Sequence, residues 1–200
     1  MNSIVVAITG ASGSIYGLRL TEELLRLDRQ VTLLLSRAGL DVLRYETGLE
    51  WEGPPTARRE LIRDHFDGSR LLSHYGEEDL FAPVASGSSA PVAVVVAPCS
   101  MGTAGRIASG TSDRLIERVA DVALKEGRPL ILVPRETPFN AIHLENLLKL
   151  ARAGATVLPA MPAFYHHPRS VDDLVDYVVG KILDRLGIAH NLLPRWGEEA

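Results

Sequence analysis

The sequence predicts an α/β protein: a doubly wound parallel sheet in a three-layer arrangement, forming a single domain over residues 1–200 with a C-terminal tail at 187–200. Three observations predict it. Apolar runs without polar alternation recur along the chain, as expected of strands buried on both faces. Amphipathic segments separate them, and this β-α-β-α rhythm implies right-handed crossovers. At 200 residues, with 46% apolar and 23% charged residues, the chain has the size and make-up of one folded domain.

In chain order, the strand candidates are Ser3–Ile8, Gln30–Leu35, Val92–Ala97, Leu130–Val133 and Ala155–Leu158. The helix candidates are Gly13–Leu27, Arg37–Thr47, Ser112–Glu126, Phe139–Arg152 and Ser170–Leu186. In the last of these, Val171, Leu174, Val175, Val178, Val179, Ile182, Leu183 and Leu186 form one apolar stripe. Ser170 and Asp173 open it as a capping box with Asp in place of Glu. Leu49–Pro91 breaks the rhythm: Trp51-Glu52-Gly53-Pro54-Pro55 reads as a turn-rich insertion, and Ala82–Pro91 as a loop without periodicity. Trp196 in the tail is expected to dock, since a loose Trp would be an apolar liability.

Composition narrows the function. Lys and Arg number 21 against 25 Asp and Glu, for a net charge of −4, so there is no basic excess for a nucleic-acid backbone. One cysteine, Cys99, excludes a disulfide framework and a multi-cysteine metal site. No apolar run approaches the ~20 residues of a membrane helix. With a strand-like start and no signal-type segment, a cytoplasmic protein is expected. The 17 glycines and 12 prolines sit in clusters, and those clusters follow the strands.

Ligands of a doubly wound sheet bind outside the carboxyl ends of its strands. After the first strand comes Thr9-Gly10-Ala11-Ser12-Gly13-Ser14-Ile15-Tyr16-Gly17, a glycine-rich turn into a helix. It offers backbone N–H groups and the Ser12 and Ser14 hydroxyls to a phosphate. A dinucleotide reading fails on the G-x-x-G-x-x-x-G spacing and on Leu35-Ser36-Arg37, which lacks the ribose-binding acid; Arg37 still leaves room for NADP. Tyr177 and Lys181 mimic a dehydrogenase Tyr-x-x-x-Lys pair, with no serine placed to complete it.

Pro98-Cys99-Ser100-Met101-Gly102-Thr103 is a second hydroxyl-rich turn before a helix, and two such turns suit one mononucleotide. Cys99 is expected to be a buried strand-end thiol rather than a nucleophile. Arg135 and Glu136, between Pro134 and Pro138, can meet a phosphate and move a proton, or form a surface ion pair. Phe164, Tyr165, His166 and His167 lie among prolines and can wall a pocket. No His, Asp or Glu spacing suits a metal, so none is expected.

Taken together and in order, these segments resemble the UbiX-type flavin prenyltransferases. The likeness runs through Thr9–Gly17, Ala85–Pro91 (ASGSSAP), Ala97–Thr103 (APCSMGT), Leu115–Lys125, Leu132–Phe139 (LVPRETPF), His143–Leu150, Phe164-Tyr165-His166 and Leu193–Gly197. The resemblance implies a flavodoxin-like (Rossmann-like) fold and a dodecamer with active sites at subunit junctions. It also implies metal-independent transfer of a dimethylallyl unit from dimethylallyl phosphate to N5 and C6 of FMN. The product, prenylated FMN, would serve a partner UbiD-type decarboxylase, and the family is linked to ubiquinone biosynthesis.

The resemblance further implies flavin contacts at Gly10, Ala11, Ser12, Ser36, Ser100, Met101, Gly102, Thr103 and Arg135. It implies prenyl-phosphate contacts at Tyr165 and Lys181, supported by Arg118, Lys125 and Glu136. Ser86 and Gly87 would lie near flavin and prenyl chain, and Trp196 would close the pocket. Catalytic roles fall on Glu136, Ser12, Ser86, Lys125 and Arg118. Where Lys181 stands some members carry Arg, which adds a bidentate fork that Lys lacks. Leu49–Arg70 matches the family only loosely. A flavin-dependent cysteine decarboxylase would instead carry a Pro-Ala-Ser-Ala-Asn-type loop and a catalytic His, and Ala85–Pro91 has no Asn. A non-catalytic flavin-binding subunit would not need the charged set Arg118, Lys125, Glu136, Tyr165 and Lys181.

Overall fold

A computed structural model describes residues 3–193. Trp196 and the rest of the tail beyond 193 lie outside the described residues. The elements run β1 (Ser3–Ile8), α1 (Ser14–Arg26), β2 (Gln30–Leu35), α2 (Arg37–Thr47), α3 (Pro55–His65) and β3 (Leu72–Tyr75). Two 3-10 turns follow at Pro83–Ala85 and Gly87–Ser89. The second half runs β4 (Ala93–Cys99), α4 (Met101–Ser109), α5 (Leu115–Lys125), β5 (Leu130–Pro134), α6 (Ala141–Arg152), β6 (Thr156–Val157) and α7 (Val171–Leu186).

The six strands pair in the order β3-β2-β1-β4-β5-β6, and every pairing is parallel. Without the short edge strand β3 the order is flavodoxin-like. Alternate side chains of each strand feed two cores. Val5, Ala7, Val94, Val96, Leu130 and Leu132 pack with α4, α5 and α6. Ile4, Val6, Ile8, Val95, Ile131 and Val133 pack with α1, α2, α3 and α7. The chain winds from β1 towards β2 over one face and from β4 towards β6 over the other. Between β1 and β4 the winding reverses, which opens a crevice at the carboxyl edge.

The expected strands and helices form, with corrections in the middle of the chain. The Val92–Ala97 strand starts at Ala93 and runs on through Cys99. Within Leu49–Pro91 lie a helix and an edge strand, because α3 buries only Ile62 and therefore shows no apolar stripe. The segment before α5 holds the separate helix α4, with Gly102 and Gly105 inside it. The Ser170–Asp173 capping box is present.

Candidate active site

The crevice is built around Thr9. Its side chain is fully buried; Oγ1 donates to the Pro98 carbonyl at 2.8 Å and accepts from the Ser100 N–H at 2.8 Å. One hydroxyl thus joins the ends of β1 and β4 and sets where α4 begins. Gly13, at φ 107°, makes the left-handed turn into α1. Gly17 lets α1 lie close on the sheet: a Cβ there would stand 2.5 Å from Ile8 Cγ1 and closer still to the Ala97 carbonyl. From β5, the Arg135 Nε donates to the Ser12 carbonyl at 3.0 Å, tying a third loop to the first. Arg135 therefore holds this loop rather than pairing with Glu136, which is exposed beside it.

The start of α1 departs from expectation. Its N–H groups are not left for a phosphate: Glu46, from the end of α2, accepts from the Gly13 N–H at 2.9 Å and the Ser14 N–H at 2.9 Å. Burial alone would raise the Glu46 pKa, but the Ser12 hydroxyl and these backbone donors outweigh it and hold the carboxyl below its usual range. Ser14 Oγ is buried beside the same carboxylate. Glu77 similarly accepts from the Arg37 N–H at the start of α2, at 3.2 Å, while Ser36 caps that helix by accepting from the Gly39 N–H.

At the start of α4 the partners are hydroxyls. Ser100 Oγ accepts from the Thr103 N–H at 3.2 Å and meets Thr103 Oγ1 at 3.0 Å. The first N–H groups of a helix have no intrahelical acceptor, so those of Met101 and Gly102 point off the carboxyl edge. A Cβ on Gly102 would meet only the Arg106 guanidinium, at 3.6 Å, so a ligand can approach the backbone there. Ser12, Ser36, Ser100, Thr103 and Arg135, expected as flavin contacts, all lie on the turns and helix starts that follow strands at this carboxyl edge. Gly10, Ala11, Met101 and Glu136 belong to the same loops. Cys99 is fully buried, and burial pushes its thiol up to about 12, as suits an inert strand-end residue.

A second group lies elsewhere. Arg118 Nε donates to the Ala85 carbonyl at 3.1 Å, and its guanidinium pairs with Asp121 at 2.9 Å. Lys125 pairs with Glu126, and a Cβ on Gly87 would stand 2.7 Å from Lys125 Nζ. Ser86 Oγ bonds Ser88 Oγ at 2.9 Å. The N-terminus of α5 sits at the carboxyl edge, where the Leu115 N–H donates to the Glu77 carbonyl. Its end feeds β5 at the amino edge, where the Val94 N–H meets the Pro129 carbonyl. An 11-residue helix is about 16 Å long, so Lys125 and Gly87 sit far from their own chain's flavin loops. The far end of α5, with Lys125 and the neighbouring Gly87, therefore stands apart from the Arg135 and Glu136 loop, while Arg118 lies in the first turn of the same helix.

Tyr165 and Lys181 form a third group on the outer side of α7, in the wall of a cavity of about 560 Å³. Sequence reasoning missed Glu46, whose partners lie 32 and 33 positions away, and Tyr177 as the neighbour of Tyr165. Among the described residues, no helix is long and apolar enough to cross a membrane.

Comparison with known proteins agrees with this geometry. The Flavoprotein family model matches residues 1–183. A relative from Pseudomonas aeruginosa named flavin prenyltransferase UbiX is 51% identical over 98% of this chain and 94% of its own length. One of the same name from Methanocaldococcus jannaschii is 46% identical over 97% and 98%. The crystal structure of AnUbiX (PadA1) in complex with FMN and dimethylallyl pyrophosphate superposes with a TM-score of 0.86 at 39% identity, covering 100% of this chain and 99% of that one. A dodecameric FMN-dependent UbiX-like decarboxylase from Escherichia coli O157:H7 gives 0.84 at 37%, covering 97% and 98%. A PPC decarboxylase mutant, at 18% identity and a TM-score of 0.59, shares the fold alone. With its crevice, its donor loops and these relatives, the chain belongs to the Flavoprotein family and, within it, to the UbiX flavin prenyltransferases.

Proposed function

We propose that the chain transfers a dimethylallyl group from dimethylallyl phosphate to N5 and C6 of reduced FMN. The observation that carries this reading is the carboxyl edge, where the open start of α4 and the Arg135 loop meet at the switch point in a chain of this family. Gly10, Ala11, Ser12, Ser36, Ser100, Met101, Gly102, Thr103 and Arg135 hold the flavin. Bound reduced FMN supplies the nucleophilic nitrogen and ring carbon.

The chain's own side chains act on the donor. Breaking the allylic C–O bond leaves negative charge on the phosphate and positive charge on the five-carbon unit. Lys125, Arg118 and Lys181, with the Tyr165 phenol, stabilise the phosphate where its charge develops. Aromatic faces shelter the positive carbon chain. Glu136, exposed at the tip of the Arg135 loop, would carry a proton to the phosphate or from the flavin ring carbon: of the two protons that N5 and C6 lose as their bonds form, one would go to the allylic double bond and the other to the leaving phosphate. The Glu46 carboxylate fixes Ser12 beside the same loop. Ser86 and Gly87 border the prenyl chain. Lys181 gives its phosphate a point charge rather than a fork, which bears on donor choice.

The position of α5 supports a shared site. Arg118, Lys125, Ser86 and Gly87 complete the flavin site of a neighbouring copy, in a dodecamer like that described for the E. coli relative. The product goes to a UbiD-type decarboxylase in the cytoplasm. To test the reaction, purified protein is incubated with reduced FMN and dimethylallyl phosphate, and the released flavin is weighed by mass spectrometry. A gain of one C5 unit is expected. Unchanged flavin from folded, FMN-loaded protein overturns the reading in favour of a decarboxylase or a flavin-binding subunit. To test the sharing, Lys125→Ala and Arg135→Ala chains are co-expressed. Partial activity in the mixture, absent from either variant alone, is expected; a mixture as inactive as both parents overturns it.

A further inference from the structure

The Tyr165–Lys181 cavity contains an aromatic box centred on Tyr177. The Tyr165 and Tyr177 hydroxyls are 3.0 Å apart. The His166 ring stacks on Tyr177 with centroids 5.2 Å apart and planes within 7°, and it crosses Tyr165 edge-on at 81°. The Lys181 ammonium stands 5.7 Å from the Tyr177 ring centroid and 3.6 Å from Asp184. Tyr177 thus touches both residues read above as phosphate ligands, and His166 besides.

A phenol has one proton to give. If Tyr165 gives it to an anion, its oxygen still accepts, and a donor placed there fixes the direction of the hydroxyl. Such a chain also polarises the terminal O–H. Either hydroxyl of the pair can donate in this geometry, and the hydrogen bond to Tyr165 and burial both push the Tyr177 pKa above the ordinary tyrosine value. Both nitrogens of His166 are buried without a hydrogen-bond partner, and the ring packs flat on Tyr177.

We propose that Tyr177 is a positioning residue for the allylic phosphate donor: its hydroxyl donates to Tyr165 and aims the Tyr165 proton at the phosphate, while its ring face holds the Lys181 ammonium towards the same anion. This rests on the reading of Tyr165 and Lys181 as phosphate ligands. The motif Tyr177-x-x-x-Lys181, which resembles a dehydrogenase pair, thereby acquires a different chemistry: an anion clamp one helical turn long.

The test compares FMN-loaded wild type with Tyr177→Phe, Tyr165→Phe and the double variant. Phenylalanine keeps the ring, its stacking and its face for Lys181, and removes only the hydroxyl. Loss of one hydrogen bond predicts that Tyr177→Phe raises KM for dimethylallyl phosphate, and Ki for inorganic phosphate as competitor, about fivefold to tenfold. Because Tyr165 serves the phosphate as its charge develops, kcat falls as well, while FMN affinity is unchanged, since the interaction is with the donor and not with flavin. Because Tyr177 acts through Tyr165, adding Tyr177→Phe to Tyr165→Phe changes neither constant further. Unchanged KM and Ki in Tyr177→Phe, or effects that add in the double variant, overturn the proposal. If Tyr165→Phe and Lys181→Met themselves leave KM and Ki unaltered, the phosphate-ligand reading fails first and takes this one with it.

Discussion

Replacing Thr9 by Val tests whether one buried hydroxyl holds the crevice together. Valine is nearly isosteric, so the change removes a hydroxyl without making a cavity. The Pro98 carbonyl keeps a partner, since the Thr9 N–H also reaches it at 3.2 Å. The Ser100 N–H does not, because its 2.8 Å acceptor was Thr9 Oγ1 itself. A lost ordinary hydrogen bond costs about 0.5–1.5 kcal/mol, and an unsatisfied N–H away from water about 1–3 kcal/mol, so for the part-buried Ser100 N–H the sum is about 1.5–4.5 kcal/mol. For a chain of this length that lowers Tm by about 3–18 °C. Ser100 also caps α4, so FMN affinity falls with stability. Thr21→Val is the control: its equally buried hydroxyl donates at 2.8 Å to the Gly17 carbonyl inside α1, and its loss leaves no donor stranded. Melting is followed by circular dichroism at one protein concentration, because self-association raises apparent stability. FMN binding is followed by quenching of flavin fluorescence. A Thr9→Val protein that melts no lower than Thr21→Val and binds FMN like the wild type refutes the clamp.

The Glu46 carboxylate stabilises the start of α1 only while ionised. With its folded pKa below the ordinary 4.5, the contribution is present above that value and is lost as pH falls through the folded value. Glu46→Gln should therefore unfold at lower urea than wild type near neutral pH, by less than about 1 kcal/mol for so exposed a group. The two should converge in acid; a gap that stays constant with pH contradicts this. With Cys99 pushed up to about 12 by burial, native protein should resist iodoacetamide at about pH 8 and react only in denaturant. Cys99→Ala should retain turnover; rapid native alkylation or loss of activity would revive a nucleophilic role. Glu136→Gln should bind FMN normally but slow appearance of the prenylated mass by about 100-fold or more, within the range of general acid–base catalysis. Full turnover in that variant removes Glu136 from the reaction.

The sheet was legible because its central strands are buried on both faces, as the runs Ser3–Ile8 and Ala93–Cys99 are. Helix α7 was legible from its apolar stripe and its capping box. Helix α3 was not, because Arg58, Arg59 and Arg63 clothe a helix anchored by Ile62 alone. Nor was α4, whose glycines and serine look like loop. At the site, the glycine and hydroxyl turns could be read locally, since a strand-to-helix turn announces itself in sequence. The Glu46 contact to Gly13 could not, because nothing local to either residue encodes a pairing between the end of one helix and the start of another. The separation of Lys125 from Arg135 depends on the direction of α5, which only the folded chain displays.

The direction of α5 has a consequence for genetics. If the site is shared as proposed above, a substitution on its flank would leave that chain's own pocket intact and injure another's. In cells carrying two alleles, an inactive Lys125 chain and an inactive Arg135 chain can complement each other. Inheritance then follows assemblies rather than single polypeptides. On that reading mixed alleles would yield graded rather than all-or-none activity, and selection on one face of the molecule would be felt at the opposite end of the sheet.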